Sequence, residues 1–328
     1  MKLPRENSAL VLSLNEKKII TSTVHEHFKK KAQLERRVDL LNAMDKRRFM
    51  LCTAYSDDYI AGHLCSKING AYAQRYDFEF IHEVKTTSEM LHEISPKRHC
   101  TWYKIYLLRK LFQDRNFLRT KCIQYVMWID ADAVVVNFSA HLNEIICLGK
   151  ERDLIIAEDL NPACLINAGV FLLRVTEWSR NLLDKIWNTC RFDNVPFYEQ
   201  SALIKCLRSS GEGLEHVNPF HSYLRSTSSS HASIEELCLQ FAHVAVLPHI
   251  VLNTSKLITD SDVEYYLAKE KNQYPCVHVA GVSSGFIFHP AGCKNKSQLI
   301  AAAIWKYNLY PYCDFSSDST QLPLITAP

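Results

Sequence analysis

Two carboxylates one residue apart, Asp130 and Asp132, sit inside Trp128-Ile129-Asp130-Ala131-Asp132-Ala133-Val134-Val135-Val136, a run otherwise as apolar as a core strand. Burying two unpaired anions is costly, so something cationic has to meet them. Residues i and i+2 of an extended chain point to the same side, so both carboxylates can converge on one hard divalent ion. The pair would fall just outside the carboxyl end of a strand, where open α/β sheets collect their ligands. An Asp-x-Asp can also cap a turn or pair with Arg, and the local sequence leaves that reading open.

The elements that must carry this pair are legible as alternating apolar runs. Phe49-Met50-Leu51-Cys52-Thr53-Ala54 reads as a buried first strand ending in the polar Tyr55-Ser56-Asp57-Asp58. A helix is expected from His63 to Arg75, a strand at Phe78-Glu79-Phe80-Ile81, a helix from Tyr103 to Phe112 and a strand at Tyr125 to Ile129. Leu154-Ile155-Ile156-Ala157 and Val170-Phe171-Leu172-Leu173 read as further strands. Helices follow from about Glu177 to Asn188, with Thr176 as N-cap and Trp178, Leu182 and Ile186 on one stripe, and from about Tyr198 to Leu207. Strands alternating with helices in this way predict an α/β fold, a three-layer α/β/α arrangement about a mostly parallel sheet. Trp128, Trp178 and Trp187 are expected in the core.

Composition narrows the partners. The chain has 328 residues, 47% hydrophobic and 22% charged, which suits a globular enzyme and excludes disordered or fibrous classes. A net charge of +3 gives no basis for nucleic-acid binding. The 12 cysteines form no C-x-x-C pair, so a structural zinc site is not expected. No run approaches the ~18 apolar residues of a membrane span and no signal-peptide pattern precedes the domain, so a cytoplasmic chain with reduced thiols is expected. The sequons starting at Asn137, Asn253 and Asn295 then read as chance matches. Between 29 and 48 basic residues outnumber acidic ones, and Phe28, Leu34, Val38 and Leu41 recur at helical spacing. This segment is expected to be a basic helix packed on the domain, and membrane association is expected only through it. The domain organisation expected is a helical extension over 1–45, one catalytic domain over 46–313 and a tail over 314–328.

An ordered set of short segments resembles a known family. Ala71-Tyr72-Ala73-Gln74-Arg75-Tyr76-Asp77-Phe78, Trp102-Tyr103-Lys104, Asp130-Ala131-Asp132, Asn167-Ala168-Gly169-Val170-Phe171-Leu172-Leu173-Arg174, Trp178-Ser179, Glu199-Gln200-Ser201-Ala202 and His278-Val279-Ala280-Gly281 follow one another in order over roughly 48 to 300. In that order they look like the galactosyltransferase/mannosyltransferase/xylosyltransferase family, glycosyltransferase family 34. The resemblance implies a GT-A, Rossmann-like nucleotide-diphospho-sugar transferase fold. It also implies Mn²⁺ or another divalent cation, a nucleotide-sugar donor, most simply UDP-linked, a glycan or protein-glycan acceptor, and retention of anomeric configuration. The family's members are Golgi membrane proteins, unlike the cytoplasmic expectation above.

The resemblance also assigns roles. Asp130, Asp132 and His278 would hold the metal, with His278 a neutral nitrogen ligand arriving from the far end of the chain. Thr53 and Ala54, at the end of the first strand, would lie against the nucleoside, with Ala131 and Gly281 also lining the donor. Lys104 would offer a point charge to the phosphates. Asn167 and Gly169 would form a turn recognising sugar hydroxyls. Glu199 and Gln200 would face the sugar, with Gln200 at the anomeric carbon. Two departures stand out. Val282, Ser283 and Ser284 follow Gly281 where the family has a Lys, leaving Lys294 to neutralise phosphate, and Glu199 replaces the usual Asp before Gln. An inverting transferase of a neighbouring family and a non-catalytic sugar-nucleotide or glycan binder are the rival readings.

Overall fold

The computed structural model describes residues 48–159, 164–211, 214, 234–254, 285–293 and 295–313. The chain divides into two units, Met1–Arg47 and Arg48–Pro328, and every described residue belongs to the second. The basic segment up to Arg47, the tail from 314, His278, Gly281 and Lys294 therefore lie outside the described residues. Within them, no helix is long and apolar enough to cross a membrane.

The strands in chain order are β1 (Arg48–Ser56), β2 (Glu79–Lys85), β3 (Ile123–Ile129), β4 (Val134–Val135), β5 (Leu154–Glu158), β6 (Ile166–Arg174), β7 (Leu239–Gln240), β8 (Val244–Leu247) and β9 (Ile287–Phe288). Seven of them form one sheet in the order β2-β1-β3-β6-β5-β8-β7, and β4 pairs with β9 in a separate ribbon. In the large sheet β1, β2, β3, β5 and β8 run one way, while β6 and β7 run the other. This is the mostly parallel α/β sheet that the alternation of strands and helices predicts.

Period-two alternation in the strands sorts their side chains into two cores, one on each face. Phe49 and Leu51, Tyr125 and Met127, Ile155, Leu172 and Ala245 face one way. Helix α1 (Ile60–Arg75) and α5 (Lys296–Lys306) cover that face through Ile68, Tyr72, Ile300 and Ile304. Met50 and Cys52, Val126 and Trp128, Leu154, Phe171 and Val246 face the other. There they meet α2 (Tyr103–Gln113), α3 (Glu177–Trp187) and α4 (Tyr198–Arg208) through Leu108, Phe112, Leu182, Ile186 and Leu203. Both faces being covered explains why these strands read as continuous apolar runs.

Local signals place several boundaries. Thr176 caps α3 as expected, its hydroxyl oxygen accepting from Ser179 N at 3.3 Å. Helix α1 starts at Ile60, a turn earlier than the apolar spacing suggests. Two segments differ more deeply. Asp130 to Ala133 is a turn and not extended chain, with Ala133 N donating to Asp130 O at 2.9 Å. Asn167 to Gly169 belongs to β6 and is not a turn, but the register jumps there: Ile156 pairs with Phe171 while Ala157 pairs with Asn167. Ala168, Gly169 and Val170 bulge out of the β5 ladder as a result.

Candidate active site and metal centre

The site is built around that bulge, because each backbone group it releases needs another partner. Gly169 N donates to the Asn167 side-chain oxygen at 2.8 Å, and Ala168 N donates to Gln200 Oε1 at 2.8 Å. Ala168 O accepts from Lys104 Nζ at 2.7 Å, and Gly169 O accepts from Asp130 N at 2.8 Å. Four residues that the sequence singles out for chemistry thus converge on the backbone of two consecutive residues, Ala168 and Gly169.

Asp130 follows directly on β3, where Trp128 Nε1 donates to its Oδ1 at 2.6 Å. Lys104, buried on α2, lies 2.9 Å from the same oxygen and 3.1 Å from Glu199 Oε1 on α4. All three ammonium protons are therefore taken. Burial acts to lower the Lys104 pKa, but Asp130 and Glu199 outweigh it and raise it above the ordinary lysine value. Glu199 is itself buried and its Oε2 has no hydrogen-bond partner among the described residues.

Asp132 arrives through the turn and is held from the far end of the chain. The β4–β9 ribbon pairs Val134 with Phe288 and Val135 with Ile287, which sets the next residue, His289, beside the carboxylate. His289 Nε2 stands 3.4 Å from Asp132 Oδ1, and Lys296 at the start of α5 pairs with Asp132 Oδ2. Burial opposes ionisation of Asp132, but His289 and Lys296 overcome it and hold its carboxyl well below the usual carboxylate range. The two anions are felt around the turn: burial first, then Asp132 and Asp130, push the Tyr59 phenol up.

One ligand atom each from Asp130, Asp132 and His289 lies within 4.8 Å of the others. Two hard carboxylates with one imidazole suit a divalent cation of the Mg²⁺/Mn²⁺ type better than a thiophilic one. The donor set is anionic, largely buried and prearranged, so the residues present fit such an ion. His278, the histidine assigned by resemblance, lies outside the described residues. His289 was not singled out by sequence, although His289-Pro290-Ala291-Gly292 repeats the same H-x-x-G spacing.

Other expected residues find places of different kinds. β1 and β3 last pair at Cys52 and Trp128, whereas β1 stays paired with β2 as far as Ser56 and Lys85. Beyond Cys52, Thr53 and Ala54 have no β3 partner in the sheet, and the Asp130 turn follows β3 at that level. Thr53 is in the middle of β1 and buried, its Oγ1 without a hydrogen-bond partner among the described residues, and Ala54 is half-buried. Ala131 is half-buried at the tip of the turn. Asn167 Nδ2 donates to Asp159 Oδ2 at 3.0 Å, and Gln200 Nε2 reaches the same oxygen at 3.4 Å. Asp159 is a site carboxylate that sequence reading missed, following Glu158 directly at the end of β5 with no motif to mark it. Asn69 on α1, also missed, donates to Ala133 O at 3.0 Å and accepts from Val135 N at 2.9 Å, clamping the exit of the aspartate turn.

Gly169 is required here for space. A Cβ at that position would stand 2.1 Å from His289 Cε1 and 2.9 Å from Asn167 Oδ1. Gly169→Ala is therefore expected to push His289 off Asp132, lowering divalent-cation affinity tenfold or more and destabilising the fold by about 1–3 kcal/mol, the usual range for overpacking. Calorimetric Mn²⁺ titration and thermal melting check this together, and unchanged affinity in a folded variant would contradict the placement of His289.

The fold and site together define an α/β domain with a two-carboxylate, one-imidazole centre at the carboxyl end of a central strand. The sequence matches no protein-family model and no curated protein sequence. Its structure is similar to a glycosyltransferase involved in glycosylation of the major capsid of PBCV-1, at 12% identity and a TM-score of 0.45, covering 79% of this chain and 99% of that one. It is also similar to the glycosyltransferase GlyE of Streptococcus pneumoniae TIGR4, at 12% identity and a TM-score of 0.39, covering 80% of this chain and 62% of that one. The apo form of mouse xyloside xylosyltransferase 1 is another similar structure, at 12% identity and a TM-score of 0.38, covering 75% of this chain and 98% of that one.

Proposed function

We propose that the domain is a metal-dependent glycosyltransferase of the GT-A type, moving a hexose or pentose from a nucleotide sugar, UDP-linked, to a hydroxyl of a glycan or protein-glycan acceptor with retention of configuration. The observation that carries this reading is the convergence of Asp130, Asp132 and His289 beside the end of the β1–β3 pairing and a bulge lined by polar side chains. A diphosphate donor needs its charge met, and a buried cluster of two carboxylates and an imidazole is suited to hold the cation that does so. When bound, a divalent cation such as Mn²⁺ supplies Lewis-acid neutralisation of charge developing on the departing nucleoside diphosphate.

The chain's own groups take the remaining roles in this reading. In this reading Thr53 and Ala54 lie against the nucleoside where β1 passes beyond its pairing with β3, and Ala131 offers the tip of the aspartate turn to the phosphates. Asn167, Gly169 and Gln200 line the sugar side, with Gln200 held there by Oε1 on Ala168 N and Nε2 on Asp159 Oδ2. Glu199, paired with Lys104, contributes a buried negative charge near a cationic transition state. Lys104, whose protons are taken by Asp130, Glu199 and Ala168 O, acts on these groups rather than on phosphate. Lys296, part-exposed on Asp132, takes the role of a cation toward the phosphates in this reading.

Asp159 favours a second reading. A carboxylate held by two side-chain amides beside the sugar is what an inverting enzyme uses to take the acceptor proton. The experiment is donor hydrolysis across UDP-galactose, UDP-glucose, UDP-xylose and GDP-mannose with Mn²⁺ and with chelator. Metal-dependent release of nucleoside diphosphate from one donor is expected. No release from any donor would favour the non-catalytic binder, and the anomer of the released sugar, read by NMR before mutarotation, separates retention from inversion.

A further inference from the structure

We infer that Asn253 is the positioning residue of the metal centre, orienting His289 through its other ring nitrogen; this rests on the metal reading above. Asn253 is fully buried, and its Oδ1 lies 2.8 Å from His289 Nδ1. With the amide oxygen as acceptor, Nδ1 carries a proton and donates it, so Nε2, the nitrogen facing Asp132, is the one that would exchange its proton for a cation. A histidine ligand whose second nitrogen donates to a fixed acceptor is held in one tautomer and one ring orientation, and loses both when that acceptor is removed.

The backbone makes this pairing a matter of register. Thr254 N donates to Ile287 O at 2.9 Å and His289 N donates to Thr254 O at 2.9 Å, a parallel bridge zipping the residue after Asn253 to the chain on both sides of Phe288. One residue upstream, the helical turn His249–Leu252 ends with Asn253 N donating to His249 O at 2.9 Å. Gly285 lets the chain leading into β9 pass close against that helical turn, since a Cβ there would stand 2.4 Å from Ile250 O. The imidazole is thus enclosed on three sides: Asn253 at Nδ1, Asp132 at Nε2 and the Cβ-free face of Gly169 at Cε1. Asn253 begins a sequon, Asn253-Thr254-Ser255, but its side chain is buried on His289 and offers no glycan attachment point in the folded domain.

The test is a double-mutant cycle read as Mn²⁺ affinity by electron paramagnetic resonance, on the full chain and without donor. Asn253→Ala is expected to weaken Mn²⁺ binding about 10–100-fold, the usual loss for such a partner. In a His289→Ala background the same substitution is expected to change nothing further, because Asn253 acts only through the imidazole. Asn253→Leu fills the same volume without an acceptor and should behave like Asn253→Ala, so a folding defect in the smaller variant does not decide the question. Equal losses in both backgrounds, or wild-type affinity in folded Asn253→Leu, would overturn the assignment while leaving the metal centre standing. A wild-type chain that binds no Mn²⁺ would overturn the metal reading itself, and this proposal with it.

Discussion

Asp132→Asn is expected to lower metal-supported donor turnover about a thousandfold, equivalent to about 4 kcal/mol of lost transition-state stabilisation, while the domain stays folded. The asymmetry between activity and stability follows from what surrounds the carboxylate. Asp132 is buried yet held ionised by His289 and Lys296, so it presents a full negative charge to the centre across the working pH range. Asparagine keeps the shape and one oxygen but removes the charge. Removing a buried anion leaves Lys296 as the unmatched partner; its side chain is 33% exposed and can turn into water, which keeps the structural cost small. The measurement is nucleoside diphosphate release against Mn²⁺ concentration, alongside a thermal melt. Wild-type rates at limiting Mn²⁺ would remove Asp132 from the centre, and a melt lowered in parallel with activity would make its role structural.

The parts of the fold that sequence makes legible are those whose pattern is local. Phe49 to Ala54, Tyr125 to Ile129 and Leu154 to Ala157 are read as strands because both faces of the sheet are covered and nearly every residue in them is apolar, Thr53 being the polar exception. Thr176 announces its helix because a cap is a contact three residues long. The aspartate pair is conspicuous for a similar reason, being charge inside an apolar run. What is not legible is set by distant pairing. β9 is two residues long and carries no periodicity, and β8 is four residues between His243 and Pro248. Their places depend on partners far away in sequence. His289 reaches Asp132 only because β4 pairs with β9, and the same H-x-x-G spacing at His278 gives no local means of choosing between the two. The bulge at Ala168 to Val170 hides equally well: Asn-Ala-Gly reads as a turn, and only the shift against β5 frees the backbone groups that recruit Lys104, Gln200 and Asn167.

Lys104 is where the geometry changes the chemistry expected from sequence, and it carries the largest stability effect. As a phosphate contact, its loss would raise the donor KM and leave the fold alone. The structure instead gives one buried ammonium to two carboxylates, Asp130 Oδ1 and Glu199 Oε1, with Ala168 O as its third acceptor. Taking away the shared cation of a buried cluster leaves uncompensated charge, at a cost of about 3–5 kcal/mol. Lys104→Met keeps the length and apolar bulk of the side chain, so packing against Trp128, whose ring lies 5.7 Å from the ammonium, is largely preserved and the loss is electrostatic. Denaturant unfolding of Lys104→Met should therefore show a drop of that size. Neutralising the more buried of the two stranded acids, in Lys104→Met/Glu199→Gln, should recover a substantial part of it, because Glu199 has no other hydrogen-bond partner among the described residues on Oε2. A merely misplaced side chain would gain nothing from the second substitution. A Lys104→Met domain as stable as the wild type, but with a raised donor KM, would return Lys104 to the phosphates and separate Glu199 from the aspartate turn.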